Sequence, residues 1–401
     1  MKRVFFLLMM LSVSLSISSC GGLDSSLEII ESVRKEFAPD NRVAVFQVTA
    51  ERESGRVVLR GETNLPRAMS TLETKLKEKG ISFVNEVRVL PDQEELDNRC
   101  RGVITVSVAN IRVTPANSAE MATQAILGTP VRLYKKNEKG SYYYVQTPDG
   151  YLGWIDNGSV QPMNDKAFES WKESSRILFL EDYGYVYSSP DDQSRRVSDL
   201  VAGSILVTTG QKNGYLSVVF PDGRKGYVSE KKSMNFDRWL ATRNPTPENI
   251  IETSYRYMGT PYLWGGTSTK MMDCSGFIKT VFFLNGIILP RDASQQVLEG
   301  TLLTENVDEL SNVPPASLVF FGRRATDNSP WRVWHVGLWL GNGMMIHEDG
   351  PLKIESLNPD VSPFNQKRYE TFYSARDFLN AIGKGYIIPV AKHDWYVNQK
   401  R

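Results

Sequence analysis

The sequence predicts a multidomain α+β chain: a small N-terminal α+β unit, two small β-barrels, and a C-terminal α+β domain whose helices precede an antiparallel sheet. Three observations carry this. The chain has 401 residues, 41% hydrophobic and 23% charged, and at about 150 residues per domain that length accommodates two to four cores. Pro148-Asp149-Gly150 returns as Pro221-Asp222-Gly223, 73 residues later, within a longer repeated pattern. After the linker Asn244-Pro245-Thr246-Pro247, helical spacing gives way to alternating strands. Lys+Arg 47 against Asp+Glu 46 leave a net charge of +1, which argues against an extended nucleic-acid surface.

At the N-terminus, Lys2 and Arg3 precede an apolar run over 4–15, followed by Ile17-Ser18-Ser19-Cys20 and Gly21-Gly22. The run falls short of the roughly 20 apolar residues that span a bilayer, and its flanks are those of an export signal. It resembles a bacterial lipoprotein signal, which implies removal of 1–19 and lipid acylation of Cys20. The mature protein would then sit in the bacterial cell envelope, tethered to a membrane at its periplasmic or cell-surface face. An ordinary signal peptide with an incidental Cys is the alternative. No later segment reads as transmembrane. Of three cysteines, Cys100 and Cys274 remain, either as a structural disulfide or with Cys274 as a reactive thiol.

Residues 20–98 read as the small α+β unit: strands at 43–49 and 56–60, a helix at 65–79, a strand at 83–90. Val57-Val58-Leu59-Arg60-Gly61 and Val84-Asn85-Glu86-Val87 resemble the BON domains of bacterial envelope proteins, although a structural spacer fits equally. In the repeat, each copy follows a Gly-started strand (128–134 and 203–209) and an aromatic strand (142–146 and 215–220). Short alternating strands joined by Asp-Gly turns build small barrels. The copies resemble tandem bacterial SH3-like domains, over 101–163 and 164–243; each is open to a reading as a spacer. The last domain, 244–401, has helices at 248–257 and 275–284, the second closed by Asn285-Gly286, then strands at 318–321, 336–340 and 344–347.

The chemistry concentrates there. Asp273 is a natural N-cap, and Phe277, Ile278, Val281, Phe282 and Leu284 form the buried stripe of the helix after it. Cys274 thus lies in the first turn, where unpaired N–H groups and the positive dipole end favour a thiolate. A Cys nucleophile also needs a base, and the chain has three histidines. A three-residue loop Gly341-Asn342-Gly343 pairs Leu340 with Met344 and Gly337 with His347, which puts His335 and His347 on one face, about 7–8 Å apart at Cα. A two-residue Asn342-Gly343 turn puts them on opposite faces. On the first register His335 meets the thiol and His347 orients it. Cys274, His335 and His347 could instead ligate zinc, with a fourth ligand or an open position. No Cys-x-x-Cys or His-Glu-x-x-His spacing is present, so neither metal nor other cofactor is expected.

Trp264-Gly265-Gly266, Asp273-Cys274-Ser275-Gly276-Phe277, Leu289-Pro290-Arg291-Asp292 with Gln295-Gln296, and His335-Val336-Gly337-Leu338 together resemble the NlpC-type papain-like cysteine peptidases of bacterial walls. The resemblance implies a papain-like fold, with Cys274 as nucleophile, His335 as base and His347 as the third, orienting residue. SH3-like domains before such a domain are similar to the γ-D-glutamyl-L-diamino acid endopeptidases, also called dipeptidyl-peptidase VI. That likeness implies hydrolysis of the bond from γ-D-Glu to diaminopimelate or lysine in peptidoglycan stem peptides with a free N-terminal L-Ala. It also implies a substrate pocket shared with the first SH3-like domain, through Glu120 in Ser118-Ala119-Glu120-Met121 and Tyr151 after Asp149-Gly150. Asp273, Ser275 and Trp264 would contribute from the catalytic side, with Glu120 and Asp273 as two carboxylates around the ammonium. Barrel packing for Tyr151 and a solvated loop for Glu120 are the alternatives. Two features depart from the family: Ala293 then Ser294 stand where Ser or Thr often follows Arg-Asp, and 322–331 reads as a polar loop at the cleft edge. Two other functions remain open: a noncatalytic wall-peptide binding protein, and an amidase or acyltransferase on the same scaffold.

Overall fold

The computed structural model describes residues 21–398, which divide into two compact units, one ending at Leu90 and one beginning at Pro91. Cys20 and the stretch before it, expected above to be a signal segment, lie outside the described residues. Among the described residues no helix is long and apolar enough to cross a membrane.

In the first unit, strands Phe46–Glu53 and Arg56–Thr63 form an antiparallel hairpin. Its turn, Ser54-Gly55, has both residues at positive φ, 48° and 82°, the twist that two-residue hairpins favour. Helix Pro66–Glu78 returns the chain so that Phe83–Asn85 runs parallel to the second strand. The expected strand over 83–90 breaks in two, because Asn85 Oδ1 accepts the Val87 N–H in a local turn before Arg88–Val89 resumes pairing. A helix the sequence reading lacked, Gly21–Phe37, packs on Pro66–Glu78 and places Ile30 and Val33 in the same core as Leu59, Leu72 and Leu76. Residues 91–98, assigned above to this unit, belong to the second. The Asp92 N–H donates to the Tyr134 carbonyl, and Leu96 is buried with Ile104, Leu133 and Val145.

The second unit holds two seven-stranded antiparallel sheets of one plan. In the first, the spatial order is Val160–Met163, Arg101–Ile104, Pro130–Lys136, Tyr142–Gln146, Leu152–Asp156, Val108–Arg112, Met121–Ile126. The second has the same order: Ser233–Asn235, Arg176–Phe179, Ile205–Lys212, Tyr215–Val219, Lys225–Ser229, Tyr183–Tyr187, Arg196–Val201. Each Asp-Gly turn uses a left-handed glycine, Gly150 at φ 86° and Gly223 at 88°.

Beyond them, helices Pro247–Tyr255 and Cys274–Leu284 precede a six-stranded antiparallel sheet ordered Thr301–Thr304, Phe372–Asp377, Leu318–Arg323, Arg332–Gly341, Met344–Glu348, Leu352–Ser356. Phe277, Ile278, Val281 and Phe282 bury the helix against Phe320, Val336, Leu338 and Ile346. At about 1.5–3 kcal/mol for each fully buried large apolar side chain, this contact holds the start of the helix against the sheet. Cys100 and Cys274 are both free thiols, so the disulfide option is not taken. The expected loop at 322–331 is shorter than the sequence suggested, since Gly322, Arg323 and Arg332 pair in the sheet.

Candidate active site

Asp273 is extended at φ −100°, ψ −179°, and its Oδ1 accepts the Gly276 N–H at 2.7 Å, which makes Cys274 the first helical residue. Gly276 is required because a Cβ there would collide with the Gly266 carbonyl. Cys274 is 6% exposed. Burial chiefly, and then Asp273, push its thiol up to about 12, although the backbone N–H groups of Val336 and Ser275 act in the opposite direction. The standing thiolate expected from the helix start is therefore corrected: loss of hydration outweighs the first-turn N–H groups, and the resting sulfur is a thiol.

The His hairpin turns through two residues, Asn342 at φ 52° and Gly343 at 82°, with Gly341 opposite Met344. This corrects the three-residue loop and its Leu340–Met344 pair. The ladder shifts between Trp339 and Gly341, so that Trp339 faces Met345 and Leu338 faces Ile346. The extra residue of that bulge reverses the change of face that the shorter turn would cause. His335 and His347 consequently meet, with Nε2 of His335 2.8 Å from Nδ1 of His347.

The chain of contacts continues where sequence reasoning did not look. His347 Nε2 lies 2.8 Å from Glu355 Oε2, on strand Leu352–Ser356, where Lys353 is the direct partner of His347. Alternation carried one strand further would have found Glu355, which shares its face with Lys353. Burial opposes the Glu355 charge, but hydrogen bonds from Asn365, Lys353 and His347 hold its pKa below the usual carboxylate range. A carboxylate only accepts, so His347 is protonated on Nε2 and its Nδ1 accepts the His335 Nε2–H. Nδ1 of His335 keeps an open lone pair. Burial, then the positive charge of Arg368, holds the His335 pKa well below its ordinary value, and burial takes His347 down to about 4 against the pull of Glu355. Cys274 and His335 lie where the helix start packs on strand Arg332–Gly341; among the described residues no hydrogen bond joins the sulfur to the imidazole.

His335, His347 and Asp349 also bring possible metal-ligand atoms within 4.8 Å of one another. Of these groups, His335 Nε2 and His347 Nδ1 meet each other, and Asp349 Oδ2 accepts from Arg368 Nη2 at 2.8 Å.

Asp273 is not an open carboxylate. Its oxygens accept from Gly265 N at 2.9 Å, Gly276 N, Ser275 Oγ at 3.2 Å and the buried Arg291, whose Nη1 and Nη2 approach at 3.0 and 2.6 Å. Arg291 also reaches Ser275 Oγ at 3.0 Å and Thr123 Oγ1 at 2.9 Å, tying this cluster to the first seven-stranded sheet. Glu120 and Trp264 do meet, with the indole Nε1–H donating to Oε1 at 2.8 Å and Trp264 61% exposed. Tyr151 is buried, and its hydroxyl crosses to Asp292 Oδ2 at 2.9 Å. One further carboxyl was missed: Glu348 is fully buried, neither Oε has a hydrogen-bond partner, and burial and Asp273 push it up to about 8.

Comparison with known proteins bears on this geometry. Residues 259–372 match the NlpC/P60 family and residues 111–160 the bacterial dipeptidyl-peptidase SH3 domain. Among curated relatives, "Dipeptidyl-peptidase 6" of Lysinibacillus sphaericus is 27% identical over 61% of this chain and 86% of its own length. A "Gamma-D-glutamyl-L-lysine dipeptidyl-peptidase" of Bacillus cereus is 27% identical over 66% of this chain and 77% of its own. A solved NlpC/P60 family protein from Bacillus cereus superposes with a TM-score of 0.57 at 22% identity, over 69% of this chain and 99% of that one, and establishes likeness of fold. The chain carries an NlpC/P60 domain and an SH3 domain of the bacterial dipeptidyl-peptidase type, and it is homologous to the γ-D-glutamyl-L-lysine dipeptidyl-peptidases.

Proposed function

We propose that this NlpC/P60 protein is a cysteine endopeptidase that hydrolyses the γ-D-glutamyl to L-diamino acid bond of peptidoglycan stem peptides bearing a free N-terminal L-Ala. The carrying observation is the chain His335–His347–Glu355 beside a buried cysteine at a helix start. The thiol and the imidazole are both neutral at rest, so the nucleophile forms as the proton leaves sulfur for His335 Nδ1. The Sγ–C bond forms, the C–N bond breaks, and the imidazolium returns that proton to the departing amine. Water then cleaves the thioester with His335 as base. His347 and Glu355 hold His335 in the tautomer that can accept.

On the recognition side, Glu120 supplies the carboxylate for the substrate ammonium, beside Trp264 and on the SH3 domain, because Asp273 is committed to Arg291. The relatives named γ-D-glutamyl-L-lysine dipeptidyl-peptidases support this choice of bond. The test is product analysis with L-Ala-γ-D-Glu-diaminopimelate and its lysine counterpart. Release of the L-Ala-γ-D-Glu dipeptide, abolished in Cys274→Ser, is expected; an intact peptide bond, or cleavage elsewhere by an amidase or acyltransferase route, overturns the proposal. Lipid on Cys20 would tether the enzyme in the cell envelope, and Cys20→Ala should then move it from the membrane to the soluble exported fraction. An unmodified N-terminus by mass spectrometry would refute that tether.

A further inference from the structure

The second seven-stranded sheet carries a feature that the peptidase chemistry leaves unused. Along strand Tyr183–Tyr187, alternation sends Gly184 and Val186 inward and lines the opposite face with Tyr183, Tyr185 and Tyr187. Gly184 is needed inside, since a Cβ would collide with the Phe179 ring. The tyrosine centroids are 5.2 and 6.1 Å apart, and Tyr215 closes the row 6.5 Å from Tyr187. Successive rings stand edge to face, at 78°, 60° and 89°. Rings set this way make the walls of a cage, whereas a sugar ring stacks on a flat platform. They line a groove of about 200 Å³, completed by Phe179, Asp192, Ser229 and Lys232.

The groove carries one lining carboxylate, Asp192, and one lining ammonium, Lys232. At its Tyr215 end, burial and the nearby Asp192 and Asp191 carboxylates hold the phenol above its ordinary pKa. Within the row, the Arg196 guanidinium lies 3.6 Å over the Tyr185 ring, so one ring already receives a cation. The repeat supplies a further argument. In the first sheet, the loop after strand Val108–Arg112 carries Glu120 to Trp264; the loop at the same place in the second sheet, after Tyr183–Tyr187, carries Asp191 and Asp192. Tyr183 is 50% exposed.

We infer that this groove is a second recognition site, which takes the primary ammonium of a lysine-type side chain between the Tyr187 and Tyr215 rings with Asp192 as its counter-charge. Ring faces attract cations through their quadrupole, and a carboxylate at the rim supplies the directional partner. The site is separate from the Cys274 machinery, and its failure leaves the peptidase reading untouched.

The experiment uses the full chain and four probes: an N-acetylated, C-amidated tripeptide with a central lysine, its norleucine counterpart, chitotriose, and a proline-rich decapeptide. Ligand-detected NMR titration measures binding to wild type, Tyr215→Leu, Tyr215→Phe and Asp192→Asn. The lysine peptide should bind while the norleucine peptide does not. Tyr215→Leu and Asp192→Asn should each weaken it by about three- to thirtyfold, Tyr215→Phe should bind like wild type because the ring face remains, and stem-peptide hydrolysis should be unchanged in all three. Equal binding of the lysine and norleucine peptides, preference for chitotriose or the proline-rich peptide, retained affinity in Tyr215→Leu, or no binding at all overturns the assignment.

Discussion

Replacing Glu355 by Gln removes one charge and keeps the size of the side chain, and its effect follows from the hydrogen-bond chain. Glu355 Oε2 fixes the proton of His347 on Nε2, and the 2.8 Å contact between the rings passes that choice on to His335. A Gln amide can donate to His347 Nε2, which moves the proton to Nδ1, reverses the inter-ring hydrogen bond and leaves His335 protonated on Nδ1. That nitrogen then cannot take the thiol proton. A hydrogen bond to a charged group contributes about 1.5–3 kcal/mol, or roughly ten- to 150-fold in rate. Where a carboxylate touches the base directly, the wrong tautomer costs about 10⁴-fold; the intervening imidazole and the option of returning to the original tautomer keep the loss here nearer the smaller figure. Stopped assays on L-Ala-γ-D-Glu-diamino acid peptides should show kcat reduced by about ten- to a hundredfold with KM nearly unchanged. The rate of Cys274 alkylation by iodoacetamide should fall in parallel across neutral pH. If Glu355→Gln keeps wild-type kcat, or loses only in KM, the relay is not what prepares His335.

Three other outcomes follow from the same site. Arg291→Met strands the buried Asp273 carboxylate and should cost about 3–5 kcal/mol in denaturant unfolding, with Asp273→Asn in the same chain recovering part of it; additive losses would show that the pair is not coupled. Glu348 has a folded pKa near 8 against an ordinary 4.5, so the native state holds a proton that the unfolded chain releases. Its contribution is complete below about 4.5 and lost as pH rises through 8, and Glu348→Gln should gain in Tm relative to wild type between pH 5 and 8.5, whereas a constant difference would contradict a buried neutral acid. Finally, N-acetylating the substrate alanine should hurt wild type much more than Glu120→Gln, by a factor corresponding to about 1.5–3 kcal/mol, and equal penalties would remove Glu120 from the ammonium site.

What the sequence by itself determined was local. Asp273 before an apolar stripe set the first helical residue and hence the place of Cys274, because capping and periodicity are interactions among near neighbours. The 73-residue repeat returned as two sheets of identical strand order. Helix Gly21–Phe37 adjoins the stretch that resembles an export signal and was not legible as a separate element. For the His hairpin, alternation encoded only which face a residue takes, so a three-residue loop and a two-residue turn with a bulge gave the same pairing of His335 with His347. Tertiary structure decided the rest. Glu355 joined the relay from another strand, Arg291 neutralised Asp273, and Trp264 found Glu120 across the junction with the SH3 domain. The protonation of Cys274 went against the local signal of the helix start, because hydration is lost to whatever segments pack over the sulfur, and those segments are distant in the chain.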